Sequence, residues 1–534
     1  MTKKIAIFGG GISGLTIAHE LIKNGFDVDI YESDSIIGGM SRSKRDVLDV
    51  PNEHSFRMIT ESYYNTIDIL KQIPLINNIY SNTYNNLIFG SFQLKLFNYD
   101  DKHIPFLSYL DAIYLYYLYL NFNVSNNRKN KFYKKKIKPL LKQKLTKDGY
   151  DYVIKLMGVI GPMNINMASI GNFFNNLDLS QEIYTYFTQN TKAVFYTSFF
   201  NQPTSEAWFD NWEIDLRNKG VKFHFNAKLT KIYNSNNIIT RCEVNNNPVI
   251  ADYYIVSTSP YHAEKIFLNS NLYDIASPYT KLNVTHNQIS FRIGFNINLR
   301  VDKFNSVFLL FDSPYGIMIC QQDSLWNKNI KLDNNNTIKA LWSGICTDSI
   351  TNGLLYNKTL TLNNKSQLYD EILFQLFKSN DFIDYFQDIN PLFSVENIIY
   401  FEIFDDWATK NSSVLKSKYP KWSDTFFNYE HKPTHHTKYN NLFIAGSHCQ
   451  TSTDNWLMEA GCDSGKIVSN LILEENNLPK VYYYDHKKKS FITLFLSILD
   501  DVLFAFFDEY ISIIDTLLML MCVILLYILY NKIK

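Results

Sequence analysis

Between Lys4 and Glu32 the chain reads KIAIFGGGISGLTIAHELIKNGFDVDIYE, and few backbones satisfy it. Ile5 to Phe8 is a short apolar run suited to a buried parallel strand. Gly9, Gly11 and Gly14 follow in G-x-G-x-x-G spacing, with Ser13 inside the turn. Leu15, Ala18, Leu21 and Ile22 then recur at helical spacing until Gly25. Val28 and Ile30 alternate in a second strand that ends at the acid Glu32. Each part has a mechanical role. Gly9 allows a tight turn, Gly11 lets a pyrophosphate approach the backbone, and Gly14 lets helix and sheet pack closely. The helix start supplies free N–H groups and partial positive charge. Glu32 suits ribose hydroxyls, and its charge disfavours a 2′-phosphate. A strand–turn–helix–strand unit with all these parts predicts a dinucleotide site.

Beyond this unit, 534 residues allow more than one domain, and 46% apolar with 19% charged residues describes a folded chain. Lys+Arg and Asp+Glu both number 52, so net charge selects no partner, and no recognition motif supports nucleic-acid binding. The abundant Asn, Ile, Lys and Tyr read as compositional bias, which makes the Asn-x-Ser/Thr matches chance. The cysteines (Cys242, Cys320, Cys346, Cys449, Cys462 and Cys522) are scattered without a Cys-x-x-Cys pair, so no metal site is expected and a reduced, cytosol-facing compartment is. Glycines in IAIFGGGISG exclude a secretory signal there.

Two later stretches carry further small residues. SDSIIGGMSRS places Gly38 and Gly39 just past the second strand, followed by Met40 and Arg42. NLFIAGSHCQTSTDNWLMEAGCDSG (Asn441 to Gly465) reads as a strand, a small polar turn and a helix with two glycines. With VPNEHSFRMI (Val50 to Ile59), NQPTSEAWFDNWEIDLRNKGVKFHFNAKLTKI, ADYYIVSTSPYHAEKI and FDSPYGIMICQQDSLW, they occur in the order seen in the flavin amine oxidase superfamily. The chain resembles its phytoene desaturase and hydroxysqualene dehydroxylase branch over most of residues 1–475.

That resemblance implies FAD as cofactor. Gly39 would lie near the flavin, with Arg42 the nearest base because Met40 stands where relatives often carry Arg. Leu229 would begin a flavin-contacting strand. Gly446 and Ser447 would face the cofactor, Ser447 replacing the acid of most relatives. Trp456, Met458 and Glu459 would open a helix beside the flavin's pyrimidine side, where charge develops on reduction. By family position His54 is a candidate for moving a proton and Arg57 for stabilising reduced flavin. Trp407 and Trp456 are available to flank the ring.

The expected fold is α/β: a Rossmann-like FAD-binding domain, discontinuous over 1–75, 200–265 and 405–475, with a helical insertion (76–199) and a mixed-sheet substrate domain (266–404). Trp208, Phe209 and Trp212 read as one aromatic core face of a helix. The basic run RKNKFYKKKIKPLLKQKLTK (Arg128 to Lys147) reads first as a solvated face, second as a patch for anionic lipid. Residues 476–510 are expected as a linker and interfacial segment, with Lys487 to Lys489 near headgroups. ISIIDTLLMLMCVILLYILY (511–530) holds Asp515 as its sole charge and is long enough for a transmembrane tail anchor, leaving the catalytic domain cytosolic. The leading functional expectation is oxidation of an apolar, isoprenoid-like substrate. Amine oxidation and a non-catalytic membrane-tethered flavoprotein are the alternatives; the oligomeric state is left open.

Overall fold

The computed structural model describes residues 2–98, 105–160, 166–175, 194–282, 288–404, positions 415, 417, 420, 425 and 426, and 428–533. Trp407 lies outside the described residues. The N-terminal run folds as strand Lys4–Phe8, helix Ile12–Ile22 and strand Asp27–Tyr31, with the two strands parallel. They form the middle of a five-stranded parallel sheet ordered Lys222–His224, Asp27–Tyr31, Lys4–Phe8, Tyr253–Val256, Leu442–Ile444. The last two strands are wholly buried, as a sheet covered on both faces requires.

Helix Met458–Glu475 packs on helix Ile12–Ile22, and its two glycines explain how. A Cβ on Gly465 would stand 2.6 Å from Thr16 Cβ, and one on Gly461 3.1 Å from Ile12. Both glycines are contact points that let the two helices close on each other. On the same side of the sheet Trp208 and Trp212 are fully buried and stacked at 5.7 Å, with Phe209 beside them and Trp212 donating to His19 of the first helix, so the aromatic stripe is core.

A second, eight-stranded sheet is mixed. Its order is Ile398–Ile403, Ile289–Phe295, Ala340–Cys346, Ile317–Gln321, Val307–Leu310, Leu87–Phe97, Val194–Phe200, Met58–Ile59. Only the pairing of Leu87–Phe97 with Val307–Leu310 is parallel. This corrects the reading of 76–199 as a helical insertion. LIFGSFQLKLF is a strand whose Phe92, Leu94 and Phe97 are buried, and the α-helices among the described residues of this region lie between Tyr109 and Asn175. A period-two pattern inside a region of helical composition decided its conformation.

The basic run is corrected too. Arg128 is not solvated: its side chain is 2% exposed and pairs with the fully buried Asp500, Nε–Oδ2 3.1 Å and Nη2–Oδ1 3.2 Å. Its Nη1 and Nη2 also donate to the carbonyls of Glu509 and Ile511. Lys131 pairs with Asp508 and Lys135 with Glu509. The acids that interrupt the apolar C-terminal segment are therefore counter-ions for this end of the run. Helix Phe491–Phe507 docks through Ser497 and Asp500 and exposes Phe491, Ile492, Phe495, Ile498 and Phe506. Helix Ile513–Ile533 follows; its stretch Ile513–Lys532 has a mean hydropathy of 2.5, and every residue from Thr516 to Lys532 is exposed.

Candidate functional site: a cofactor cavity between two helix starts

A cavity of about 1040 Å³ runs from the glycine turn to the helices of the insertion. Gly9, Gly11, Ser13, Glu32, Gly39, Arg42, His54, Arg57, Leu229, Gly446, Ser447, Trp456, Met458 and Glu459 all line it. Gly14 does not. It packs against the turn, where a Cβ would come within 2.1 Å of the Gly9 carbonyl oxygen.

The geometry of the glycine end is that of a cradle. Gly11 and Gly39 face one another backbone to backbone: a Cβ on Gly39 (φ +54°) would meet Gly11 Cα at 3.2 Å. Gly38 (φ +99°) fits under the ring of Phe209, which a Cβ would approach to 2.7 Å. Glu32 is held in place by its neighbours. Oε2 accepts from Gly10 N at 2.7 Å, and Oε1 accepts from Asp34 N at 2.9 Å, leaving further lone pairs for hydroxyls. Arg42 pairs with Asp34 at 2.5 Å.

Two helices begin at this cavity. Ile12–Ile22 has Gly11 as N-cap and Met458–Glu475 has Leu457, and neither cap offers a side-chain hydrogen bond. Their first N–H groups suit negative charge on a ligand. Two buried polar atoms on lining residues, Arg42 Nε and Thr258 Oγ1, have no hydrogen-bond partner among the described residues. Orphan donors, a side-chain-free cradle and two uncapped helix starts fit a phosphate-bearing cofactor.

The remaining residues divide by what holds them. Glu459 lines the cavity, yet its carboxylate caps the helix Tyr64–Gln72. It accepts from Asn65 N and Thr66 N at 2.9 Å each, from Asn65 Nδ2 and Thr66 Oγ1, and lies 2.8 Å from His486 Nε2. Its side chain fixes the wall. Arg57 donates to the carbonyls of Met40, Ser41 and Ser55. Burial pulls its guanidinium below its ordinary pKa, but it stays a cation beside the Gly38–Gly39 turn. His54 is buried, with Nδ1 3.2 Å from Ser290 Oγ. The serine hydroxyl donates to the His54 carbonyl, so Nδ1 is the donor and Nε2 the basic nitrogen. His448 also lines the cavity, and burial drops it to about 3, so it is neutral.

The lining residues that sequence reasoning missed include Thr258, His486 and Lys129. Thr258 follows strand Tyr253–Val256, where a strand-end loop in a parallel sheet is a recognisable ligand position. His486 lies beyond the last motif. Lys129 sits in the basic run, and nothing local distinguishes it from its neighbours. The insertion closes on this end through Asn455 Nδ2, 3.1 Å from the Asn175 carbonyl.

A parallel sheet with a glycine cradle at its strand ends, joined to a mixed sheet across one cavity, defines a nucleotide-cofactor oxidoreductase fold. Residues 12–303, more than half of the chain, match the family described as flavin containing amine oxidoreductase, and the chain belongs to that family. It is accordingly a flavin-dependent oxidoreductase. Among curated proteins, the chain is similar to zeta-carotene desaturases of Zea mays (34% identical) and Solanum lycopersicum (36%). Each match spans 76 residues, 14% of this chain and 13% of the relative. Among solved structures, cyclohexylamine oxidase from Brevibacterium oxydans IH-35A superposes with a TM-score of 0.59 at 14% identity, covering 89% of this chain and 100% of that one. An oxidoreductase from Methanosarcina mazei gives 0.54 at 14% identity over 87% and 99%. At such identity these structures share the fold.

Proposed function

We propose that the chain binds FAD along this cavity and oxidises a largely apolar substrate. The observation that carries the reading is one cavity lined both by the glycine cradle and by the apolar side chains Phe122, Phe174, Met318, Ile345 and Phe404. A bound flavin would supply the acceptor for a hydride or its equivalent from a substrate carbon. The protein does the rest. The helix starting at Met458 would offer N–H dipoles to negative charge on the cofactor, Arg57 adds fixed positive charge near the Gly-Gly turn, and the apolar lining would limit water at the reacting carbon. His54 Nε2 is the candidate base. The partial matches to carotene desaturases support an isoprenoid-like substrate.

Small amines fit less well. The carboxylates lining the cavity among the described residues are Glu32, Asp34 and Glu459. The first two lie at the cradle and the third is committed to a helix cap, so none awaits an ammonium group. Anaerobic mixing of the yellow protein with isoprenoids and with amines decides between the readings. Bleaching of the flavin near 450 nm by isoprenoids (about that wavelength for any oxidised flavin) supports desaturation; bleaching by amines alone overturns it; bleaching by neither favours a non-catalytic flavoprotein.

We assign residues 1–75, 200–265 and 405–475 to the cofactor unit, apart from Met58, Ile59 and Phe200, which join the strands at 87–97 and 194–199 and residues 266–404 on the substrate side. The helix at 513–532 is proposed as a membrane anchor that leaves the flavin unit in the cytosol. Its exposed apolar surface and the exposed face of Phe491–Phe507 support this reading.

A further inference from the structure

Lys129 lies in the helix Asn126–Tyr133 of the insertion and lines the apolar end of the cavity with Tyr119, Phe122 and Phe174. Its Nζ stands over the ring of Phe122, 4.9 Å from the centroid, and makes no hydrogen bond or ion pair among the described residues. The neighbouring charges do not neutralise it. Lys432, Lys487 and Lys489 repel it, and Asp454 is the nearby acid. Asp454 is already in use, with Lys487 2.8 Å from its carboxylate and Lys432 donating to its carbonyl at 2.8 Å. Lys489 donates to the Val124 carbonyl and to Ser497. His486, which also lines the cavity, is held by Glu459. A partly buried cation set against an aromatic ring, with no ion pair among the described residues, is suited to a ligand that brings the opposite charge.

We infer that Lys129 is a specificity-determining residue that receives an anionic end group, a carboxylate in the simplest case, of an otherwise apolar substrate. This rests on the flavin-oxidoreductase reading and sharpens its substrate class from a hydrocarbon to an amphipathic acid. Burial lowers the lysine to about 8. Its ammonium form, and with it the preference for acids, is present at neutral pH and fades as pH rises through that value.

The test uses full-length holoprotein in detergent with three probes of one skeleton: farnesoic acid, its methyl ester and farnesylamine. Binding is followed by perturbation of the flavin spectrum. The acid is expected to bind about 10–100-fold more tightly than the ester, as a charge-assisted hydrogen bond implies. Lys129→Gln abolishes that preference while leaving ester affinity within about twofold; Lys129→Arg retains it; in the wild type it declines above about pH 8. Equal affinity for acid and ester, tightest binding of the amine, or a parallel loss for acid and ester in Lys129→Gln overturns the inference. Flavin content and dithionite reduction are recorded on the same samples. Missing flavin refutes the flavin reading, whereas intact flavin without acid preference refutes only the role of Lys129.

Discussion

Replacing Arg128 by Met puts a number on the joint between insertion and C-terminal helices. Met keeps much of the stem that passes near Phe504, whose ring centroid lies 5.4 Å from the guanidinium carbon. What disappears is the charge. Asp500, 0% exposed, loses both contacts to Arg128 and keeps the Ile513 N–H at 2.9 Å. The Glu509 and Ile511 carbonyls lose their donor as well. Leaving one partner of a buried pair uncompensated costs about 3–5 kcal/mol. A chain this large with several sheets is not expected to unfold in two states, so a melting curve gives no free energy for this one joint. Native-state hydrogen exchange reads the local opening instead. Under conditions where closing outpaces exchange, the protected amides of 126–133 and 497–507 should exchange roughly 100- to 4000-fold faster, from about 1.4 kcal/mol per decade. Combining Arg128→Met with Asp500→Leu removes both charges and should recover much of the loss, since an apolar pair can replace a buried ionic one. A change below about tenfold in the single variant, or a double variant that shows the full sum of two single losses, refutes the argument.

Gly11→Val and Gly14→Ala should fail differently. At Gly11 the nearest obstacle to a Cβ is Gly39 Cα at 4.0 Å, so the valine variant should fold but purify colourless. At Gly14 the 2.1 Å approach to Gly9 oxygen should cost about 1–3 kcal/mol or more and lower thermal stability directly. A chain stopped after Ser512 keeps the Arg128–Asp500 pair and should lose resistance to alkaline extraction from membranes while keeping its flavin; equal extraction of both forms would remove the case for an anchor. Acid should destabilise the fold below pH 6.5. Burial holds His19 and His448 at about 3 and His435 at about 4, so folded histidines stay neutral where unfolded ones bind protons. Their contribution is complete above about pH 6.5 and is lost as pH falls toward 4. Asp323, raised by burial to about 6, takes up a proton in the folded state and offsets one of the three. The net slope is about 3 kcal/mol per pH unit below pH 6 at most, read as a falling Tm; a Tm unchanged from pH 7 to 5 contradicts it.

The parts of the site legible in the sequence are those whose chemistry is local. Gly9 to Glu32 encode strand, turn, helix and acid within thirty residues, and Leu442 to Glu459 encode the closing wall. The parts that were not legible depend on partners far along the chain. The reading of Arg128 as solvated failed because its counter-ion is 372 positions away. Glu459 lines the cavity as expected, but nothing local shows that its carboxylate is taken up by Asn65, 394 residues away. Lys129 and Arg128 are adjacent, yet one faces the cavity and the other the C-terminal helices, a difference set by helix packing alone. The strand Leu87–Phe97 was hidden by the Tyr- and Leu-rich helix that follows it.

The order of the parallel sheet has a consequence for synthesis. Strand Tyr253–Val256 receives its outer neighbour only from Leu442–Ile444, nearly two hundred residues later. At about 5–20 residues per second the ribosome needs roughly 10–40 s to supply it. Throughout that interval the nascent sheet carries an unpaired, wholly buried-type edge, a template for pairing with another chain. Helix Met458–Glu475, which covers helix Ile12–Ile22 and caps Asn65 through Glu459, arrives later still. A cofactor that recognises both helix starts can stabilise the finished protein by mass action. It gives the growing chain no protection, so flavin added to cells should raise the yield of folded protein far less than slowing elongation or supplying a chaperone that covers sheet edges.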